Sequence, residues 1–326
     1  MIKFATIGSN WITEKFIDAA LQTGQYQLTA IYSRDINKAR QFAQKYHVET
    51  FYDDLTQLAN DRNIDVVYIA SPNSLHFAQA QLMLKNNKDV ICEKPLTSNL
   101  RQTQKLLDIA RQHHQIIFEA LKTYYLPNYQ LIQKFLPKLG KIHKVFLNYC
   151  QYSSRYPNYL NGENPNTFNP QFSNGSIMDI GVYPLNFAIG LWKKPNRIIA
   201  SGSRLDTGVD AHGMVQLNYD DFDIIIWHSK VTNSYIPSEI QGEDGALIIN
   251  HLSCCEEVFY QPRQGKRQEI TLKQNSNEMY YEVMTFAKLY QQRQINHKAL
   301  HYSLMSSAIL TEIRKQISVT FPSDKT

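Results

Sequence analysis

The first 120 residues switch repeatedly between two periods, and this switching restricts the fold more than any other feature of the chain. Short runs rich in β-branched and aromatic residues occur at 2–7, 27–32, 66–70, 89–92 and 115–118. Between them, 11–21, 36–46, 75–84 and 100–110 carry apolar residues at helical spacing. Strand and helix alternating at this pace need right-handed crossovers, which predicts a doubly wound α/β domain around a parallel sheet. Asp35, Ser74 and Ser98 each precede a helical run and are the expected N-caps.

Beyond residue 120 the pattern changes. Strand-like runs at 144–152, 197–205, 213–219, 222–230, 238–241, 246–250, 258–262 and 269–272 follow one another through short turns. Tyr219-Asp220-Asp221-Phe222 reads as a tight hairpin between two of them. Residues 121–326 are therefore expected to form an α+β domain with a large, mostly antiparallel open sheet, closed by helices at 278–292 and 301–317. The stretch 153–174, rich in Asn, Pro and Tyr, reads as irregular, and segments of that length inside a compact domain are usually functional.

Composition excludes several classes. Hydrophobic residues are 43% and charged residues 19% of 326, enough apolar material for two cores and too much for a disordered chain. The formal charge of +5 is spread without a basic stripe, so no nucleic-acid partner is expected. No apolar run approaches the roughly 18 residues of a membrane span. The first strand pattern begins at Ile2, leaving no room for a signal peptide ahead of it. Cys92, Cys150, Cys254 and Cys255 lack CxxC or zinc-finger spacing, so they read as reduced thiols of a cytoplasmic protein, with no metal expected.

Four segments carry candidate chemistry. Ile7-Gly8-Ser9-Asn10-Trp11-Ile12-Thr13 stands where a dinucleotide fingerprint would join the first strand to its helix, although Gly8 alone of the three glycines is present. Asn10 tolerates left-handed backbone and is expected to complete the turn, with a pyrophosphate on the helix N-terminus held around Gly8, Asn10, Trp11 and Ile12. This makes residues 1–120 a Rossmann-type dinucleotide-binding domain. After the second strand comes Ser33-Arg34, where an NAD-preferring site would place Asp or Glu. A hydroxyl and a guanidinium suit a ribose 2′-phosphate instead, with Lys38 one turn further on; a solvated arginine at a strand end is the plainer alternative.

Ser71-Pro72-Asn73-Ser74-Leu75-His76 and Cys92-Glu93-Lys94-Pro95 follow two later strands, at the sheet end where open α/β folds bind ligands. Lys94 is suited to neutralise an oxyanion; the competing reading is a weak Glu93–Lys94 surface pair. Gly175-Ser176-Ile177-Met178-Asp179-Ile180-Gly181-Val182-Tyr183-Pro184 places Asp179 and Tyr183 four residues apart, on one face if the segment is α-helical; a packed tyrosine is the plainer alternative there. His113-His114 reads as a helix terminus, and Gly242-Glu243-Asp244-Gly245 as a turn.

CEKP at 92–95, SPNSLH at 71–76 and GSIMDIGVYP at 175–184, in this order and spacing, resemble the glucose–fructose oxidoreductase / inositol dehydrogenase (Gfo/Idh/MocA) family. The resemblance implies NAD(P) as cofactor, with Ser71, Pro72, Asn73, His76, Glu93 and Lys94 among its contacts. It further implies that Lys94 meets nicotinamide and substrate, that Asp179 holds the substrate, and that the chain is a homodimer through the second sheet. Tyr183, where many members have His, looks like the branch of glucose–fructose oxidoreductase and dimeric dihydrodiol dehydrogenases, in which it serves as acid/base. The expected function is NADP-dependent hydride transfer on a sugar, polyol or related small molecule. An NAD-dependent glycosidase of the same family type and a non-catalytic cofactor-binding regulator are the rivals. Residues 119–125 and 152–159 are the expected pocket loops.

Overall fold

The structure is a computed structural model and describes residues 1–325. Its first part runs β1 (Ile2–Ile7), α1 (Trp11–Gln22), β2 (Tyr26–Tyr32), α2 (Ile36–Lys45), β3 (Thr50–Tyr52), α3 (Leu55–Asn60), β4 (Val66–Ile69), α4 (Asn73–Lys85), β5 (Asp89–Glu93), α5 (Leu100–Gln112) and β6 (Ile117–Ala120). The six strands are parallel in the order β3-β2-β1-β4-β5-β6. Every residue of β4 and β5 is buried, as strands covered by helices on both faces must be. The order reverses between β1 and β4, which opens a crevice beyond their carboxyl ends.

Three details of this half differ from the sequence expectation. A sixth strand, β3, pairs with β2 over only three residues, too short for a period-2 pattern to register. Asp35 caps α2 as expected, accepting from the Asn37 and Lys38 amides. The cap of α5 is Asn99, not Ser98, with Asn99 Oδ1 accepting from Gln102 N, and α4 begins at Pro72 with no side-chain cap in place of Ser74. Proline there fixes a helix-ready φ without a capping oxygen.

The second part contains α6 (Pro127–Phe135), β7 (Ile142–Cys150), α7 (Tyr156–Leu160), a π-helical turn (Ile177–Gly181), α8 (Val182–Trp192), β8 (Arg197–Arg204), β9 (Asp210–Asn218), β10 (Asp223–Ser229), β11 (Ser238–Gly242), β12 (Gly245–Asn250), β13 (Glu257–Pro262) and β14 (Gln268–Glu269). Helices α9 (Tyr280–Gln291) and α10 (Lys298–Gln316) follow. The eight strands lie in the order β14-β13-β12-β11-β7-β10-β9-β8. All neighbours are antiparallel except β7 and β10, which run parallel at the centre. Tyr219–Phe222 closes the β9–β10 hairpin, with Tyr219 N donating to Phe222 O at 2.9 Å. The stretch 153–174 is more ordered than its composition implied, holding α7 and two short 3₁₀ turns.

The chain forms two compact units, Met1–Leu121 with Asn275–Leu304, and Lys122–Gln274 with Met305–Thr326. The sequence reading assigned everything after 120 to one domain, whereas α9 and its flanks join the first unit. Specific bonds explain this: Tyr26 Oη donates to Val283 O at 2.8 Å, Arg293 pairs with the buried Asp89, and His297 bonds Ile117 O at 2.9 Å. No helix among the described residues is long and apolar enough to cross a membrane.

Candidate active site

In the first unit the turn after β1 depends on Gly8. Its φ is +117°, and a Cβ there would stand 2.8 Å from Ala70 O at the end of β4. Only glycine keeps this turn bare, as a phosphate approaching the crevice requires. Asn10 is not left-handed as expected but extended (φ −108°), and it serves as the N-cap of α1. Its Oδ1 accepts from Ile12 N at 3.0 Å and Thr13 N at 3.2 Å, while its Nδ2 donates to Ala70 O. Of the α1 amides outside the helical ladder, those of Ile12 and Thr13 are thus engaged by Asn10, which leaves an anion to the Trp11 end of the turn. Trp11 itself is exposed.

At the end of β2, Ser33 is half-buried while Arg34 and Lys38 are exposed. Asp35, the nearest carboxylate in sequence, is turned onto the amides of α2. Beyond β4, Ser71 Oγ donates to Gln79 Oε1 at 2.6 Å, and Pro72 and Asn73 open α4, both half-buried. His76 is fully buried, with Nδ1 2.9 Å from Pro95 O and Nε2 2.9 Å from Ser71 O. Burial lowers its pKa. The resemblance implies that His76 touches cofactor; in the structure its ring is enclosed and bonds a carbonyl in each of the loops after β4 and β5.

Lys94 stands out in its own segment. From Ile91 to Asn99 every other residue is buried. Glu93 beneath it is 8% exposed and accepts from Tyr68 Oη at 2.7 Å, so its carboxylate is buried and not at the surface. Glu119, also buried, accepts from Leu96 N at 2.9 Å, and burial raises its pKa. The Lys94–Pro95 peptide is cis. Two carboxylates and His76 therefore fix the backbone on both sides of one lysine that keeps contact with solvent.

The second unit repeats this arrangement. Between Gly175 and Pro184 every side chain is buried except those of Asp179 and Tyr183. Asp179 lies in the π-helical turn, so the α-helical face inferred from a four-residue spacing does not apply unchanged. The turn is anchored by the fully buried Asp210, whose Oδ2 accepts from Ile177 N at 2.6 Å. Burial pushes the Asp210 carboxyl up to about 6 and His228, with His212 nearby, down to about 3. His228 is accordingly neutral at pH 7 and bonds Ser176 Oγ at 2.9 Å rather than forming an ion pair. Two partners were not legible in the sequence. Lys230 donates to Asp179 Oδ2, and the Tyr149 ring stands 5.7 Å from that of Tyr183. Near the 152–159 loop, Tyr156, Tyr159 and Phe168 pack ring against ring.

Residues 2–121 match the model of an oxidoreductase family with an NAD-binding Rossmann fold, and 137–248 match the GFO/IDH/MocA C-terminal domain. The chain is 51% identical over 324 residues to the uncharacterized oxidoreductase YgjR of Escherichia coli, covering 99% of both chains. This chain is a Gfo/Idh/MocA oxidoreductase. It is 40% identical over 327 residues to scyllo-inositol 2-dehydrogenase (NADP(+)) IolU of Bacillus subtilis, covering 100% of each. Among solved structures, the 3-ketoreductase KijD10 of Actinomadura kijaniata, crystallised with NADP and TDP-benzene, shares the fold at a TM-score of 0.86 and 19% identity, covering 97% of this chain and 98% of that one. The Gfo/Idh/MocA assignment accounts for the parallel sheet followed by the large open one, and the bare turn at Gly8 fits a dinucleotide phosphate.

Proposed function

We propose that this oxidoreductase is a cytoplasmic, NADP-dependent enzyme that acts on a hydroxyl or carbonyl group of a polyol, sugar or related small molecule. The observation that carries the reading is the full-length, 40% identity to an NADP(+) inositol dehydrogenase. When bound, the nicotinamide accepts or supplies the hydride. Gly8, Asn10, Trp11 and Ile12 would hold the pyrophosphate turn, Asn10 and Ile12 by shaping it. Ser33, Arg34 and Lys38 would take the 2′-phosphate, and Ser71, Pro72, Asn73 and Lys94 the remainder, with Glu93 and His76 bracing them. Tyr183 takes the substrate hydroxyl proton during oxidation and returns it during reduction, Lys94 neutralises negative charge that develops in the reaction, and Asp179 orients the substrate. The solvent contact kept by Lys94, Asp179 and Tyr183 in otherwise buried segments supports these roles.

The direct test is NADP+ reduction over inositols, other polyols, aldoses and trans-dihydrodiols, with the reverse reaction on dicarbonyls. Turnover on at least one polyol is expected, and its absence throughout the panel refutes the reading. For the cofactor, one charge-assisted contact is worth about 1.5–3 kcal/mol, roughly 10- to 150-fold in affinity. NADPH is expected to bind more tightly than NADH by that factor, and Arg34→Ala to remove most of the difference, with Lys38 blunting the loss. Fluorescence titration of both cofactors decides it, because equal affinity in the wild type rules out a 2′-phosphate contact.

The open sheet face supports a homodimer. On β10, Ile224 and Ile226 are fully buried, while Trp227 on the opposite face is 41% exposed and packs edge-on against Phe146 at 5.0 Å. Ile199 and Met214 share that face and are each 38% exposed. A face so apolar suits an isologous contact with a second copy. Light scattering should give twice the 37.8 kDa chain mass, and a monomer at micromolar concentration overturns the dimer.

A further inference from the structure

We propose that Lys230 is a substrate-binding residue and that, paired with Asp179, it selects substrates carrying hydroxyls on two adjacent carbons. The inference rests on the hydride-transfer reading above and goes beyond it by naming the group that reads the neighbouring hydroxyl. Lys230 directly follows β10 and its backbone is held from both sides. Its N–H donates to Ala211 O at 2.9 Å, and its carbonyl accepts from Ser153 N at 2.8 Å. This fixes the side-chain direction, and the ammonium reaches the Asp179 carboxylate. The Lys230 side chain is 10% exposed and that of Asp179 29%.

Lys230 is the largely enclosed partner of this pair, and an enclosed ammonium is an expensive way to fill space, since an apolar side chain of similar volume often does as well or better. Its chemistry offers what a methionine lacks. An ammonium has three donors and no acceptor, and a carboxylate only accepts. One Lys230 donor is spent on Asp179, so the pair presents an acceptor and a donor side by side. A hydroxyl does both, so of two adjacent hydroxyls one donates to Asp179 while its neighbour accepts from Lys230. A lone hydroxyl engages only one member of the pair. The Tyr149 and Tyr183 rings, 5.7 Å apart at 55°, add flat apolar surface suited to the C–H face of a polyol ring. Tyr149 lies on β7 opposite His228, two residues before Lys230, so both walls are set by the central parallel pair of strands.

The test compares Lys230→Met and Lys230→Arg with wild type, at saturating NADP+, on trans-cyclohexane-1,2-diol and cyclohexanol. For Lys230→Met, the loss of kcat/KM on the diol should exceed that on cyclohexanol by roughly 10- to 150-fold and fall mainly in KM, the size of one charged hydrogen bond. Lys230→Arg, which still donates, should keep most of the wild-type preference. Melting temperature and NADPH affinity confirm that the variants are folded, and Lys230→Gln replaces Lys230→Met if the latter is not. Equal losses on both substrates mean that Lys230 only tethers Asp179, and the proposal fails while hydride transfer stands. A wild type that does not prefer the diol overturns it likewise. A wild type that binds NADPH yet turns over neither alcohol nor any member of the polyol panel overturns the underlying reading, and the proposal with it.

Discussion

Tyr183→Phe is expected to lower kcat by about 10²–10⁴, the usual contribution of a general acid/base, while leaving NADPH affinity nearly unchanged. The phenol belongs to the second unit, within a segment where only it and Asp179 are not buried. A phenol with an ordinary pKa near 10 is a poor base at neutral pH, and a nearby ammonium favours the phenolate. Phenylalanine keeps the ring contact with Tyr149 and removes only the oxygen. Lys94→Ala should behave differently, lowering kcat and raising KM together, because its charge is proposed to serve both binding and turnover. The decisive measurement is steady-state kinetics with a deuterated substrate. If Tyr183→Phe retains wild-type kcat while the isotope effect shows hydride transfer to be limiting, Tyr183 is not the proton carrier, and Lys94 or a residue of the 152–159 segment takes its place.

Gly175→Ala should be among the most destabilising single-methyl changes in the chain. Gly175 sits at φ +131°, and an added Cβ would lie 2.4 Å from Asp210 Oδ1 and 3.3 Å from Val209 Cβ. The carboxylate has nowhere to retreat, because Asp210 is fully buried and its other oxygen holds Ile177 N. Backbone strain costs about 1–3 kcal/mol, and a broken buried charge-assisted hydrogen bond about as much again, giving roughly 3–5 kcal/mol in all. At roughly 2–4 °C per kcal/mol, that lowers Tm by about 6–20 °C. Asp210→Ser in the same background makes room for the methyl while keeping an acceptor, so the double variant should be more stable than the sum of the two changes. A Tm within about 2 °C of wild type for Gly175→Ala alone would show that the turn relaxes freely, contrary to the close packing expected of a protein interior.

The residues proposed to carry chemistry were legible because each sits in a short local motif. Lys94 is bracketed by Glu93 and Pro95, and Asp179 and Tyr183 share ten residues with two glycines. Gly8 was legible because a strand–turn–helix junction needs a positive φ somewhere, although the sequence alone did not show that Asn10 would cap the helix instead of sharing the turn. What stayed hidden depends on contacts between distant residues. Lys230 meets Asp179 across 51 positions, and nothing about a lysine at the end of an apolar strand announces a carboxylate partner. The two carbonyl partners of His76 lie on different loops, and nothing in the spacing around His76 announces that they enclose it. The attachment of α9 to the first unit was hidden for the same reason, since helical periodicity shows that a face is apolar and not which sheet it will cover.

That attachment has a consequence for how the protein is made. The nucleotide-binding unit is not a portable cassette, because residues 275–304 supply Val283, Arg293 and His297 to a sheet whose last strand ends at Ala120. A ribosome adding about 5–20 residues per second takes roughly 10–40 s to travel from the end of that strand to the end of the missing piece. Throughout that interval Asp89 lacks its guanidinium partner and Ile117 its histidine, while the intervening second sheet emerges and begins to pair. Vectorial synthesis therefore delivers the two halves interleaved: the first waits for residues 275–304, and the second for the segment made after them.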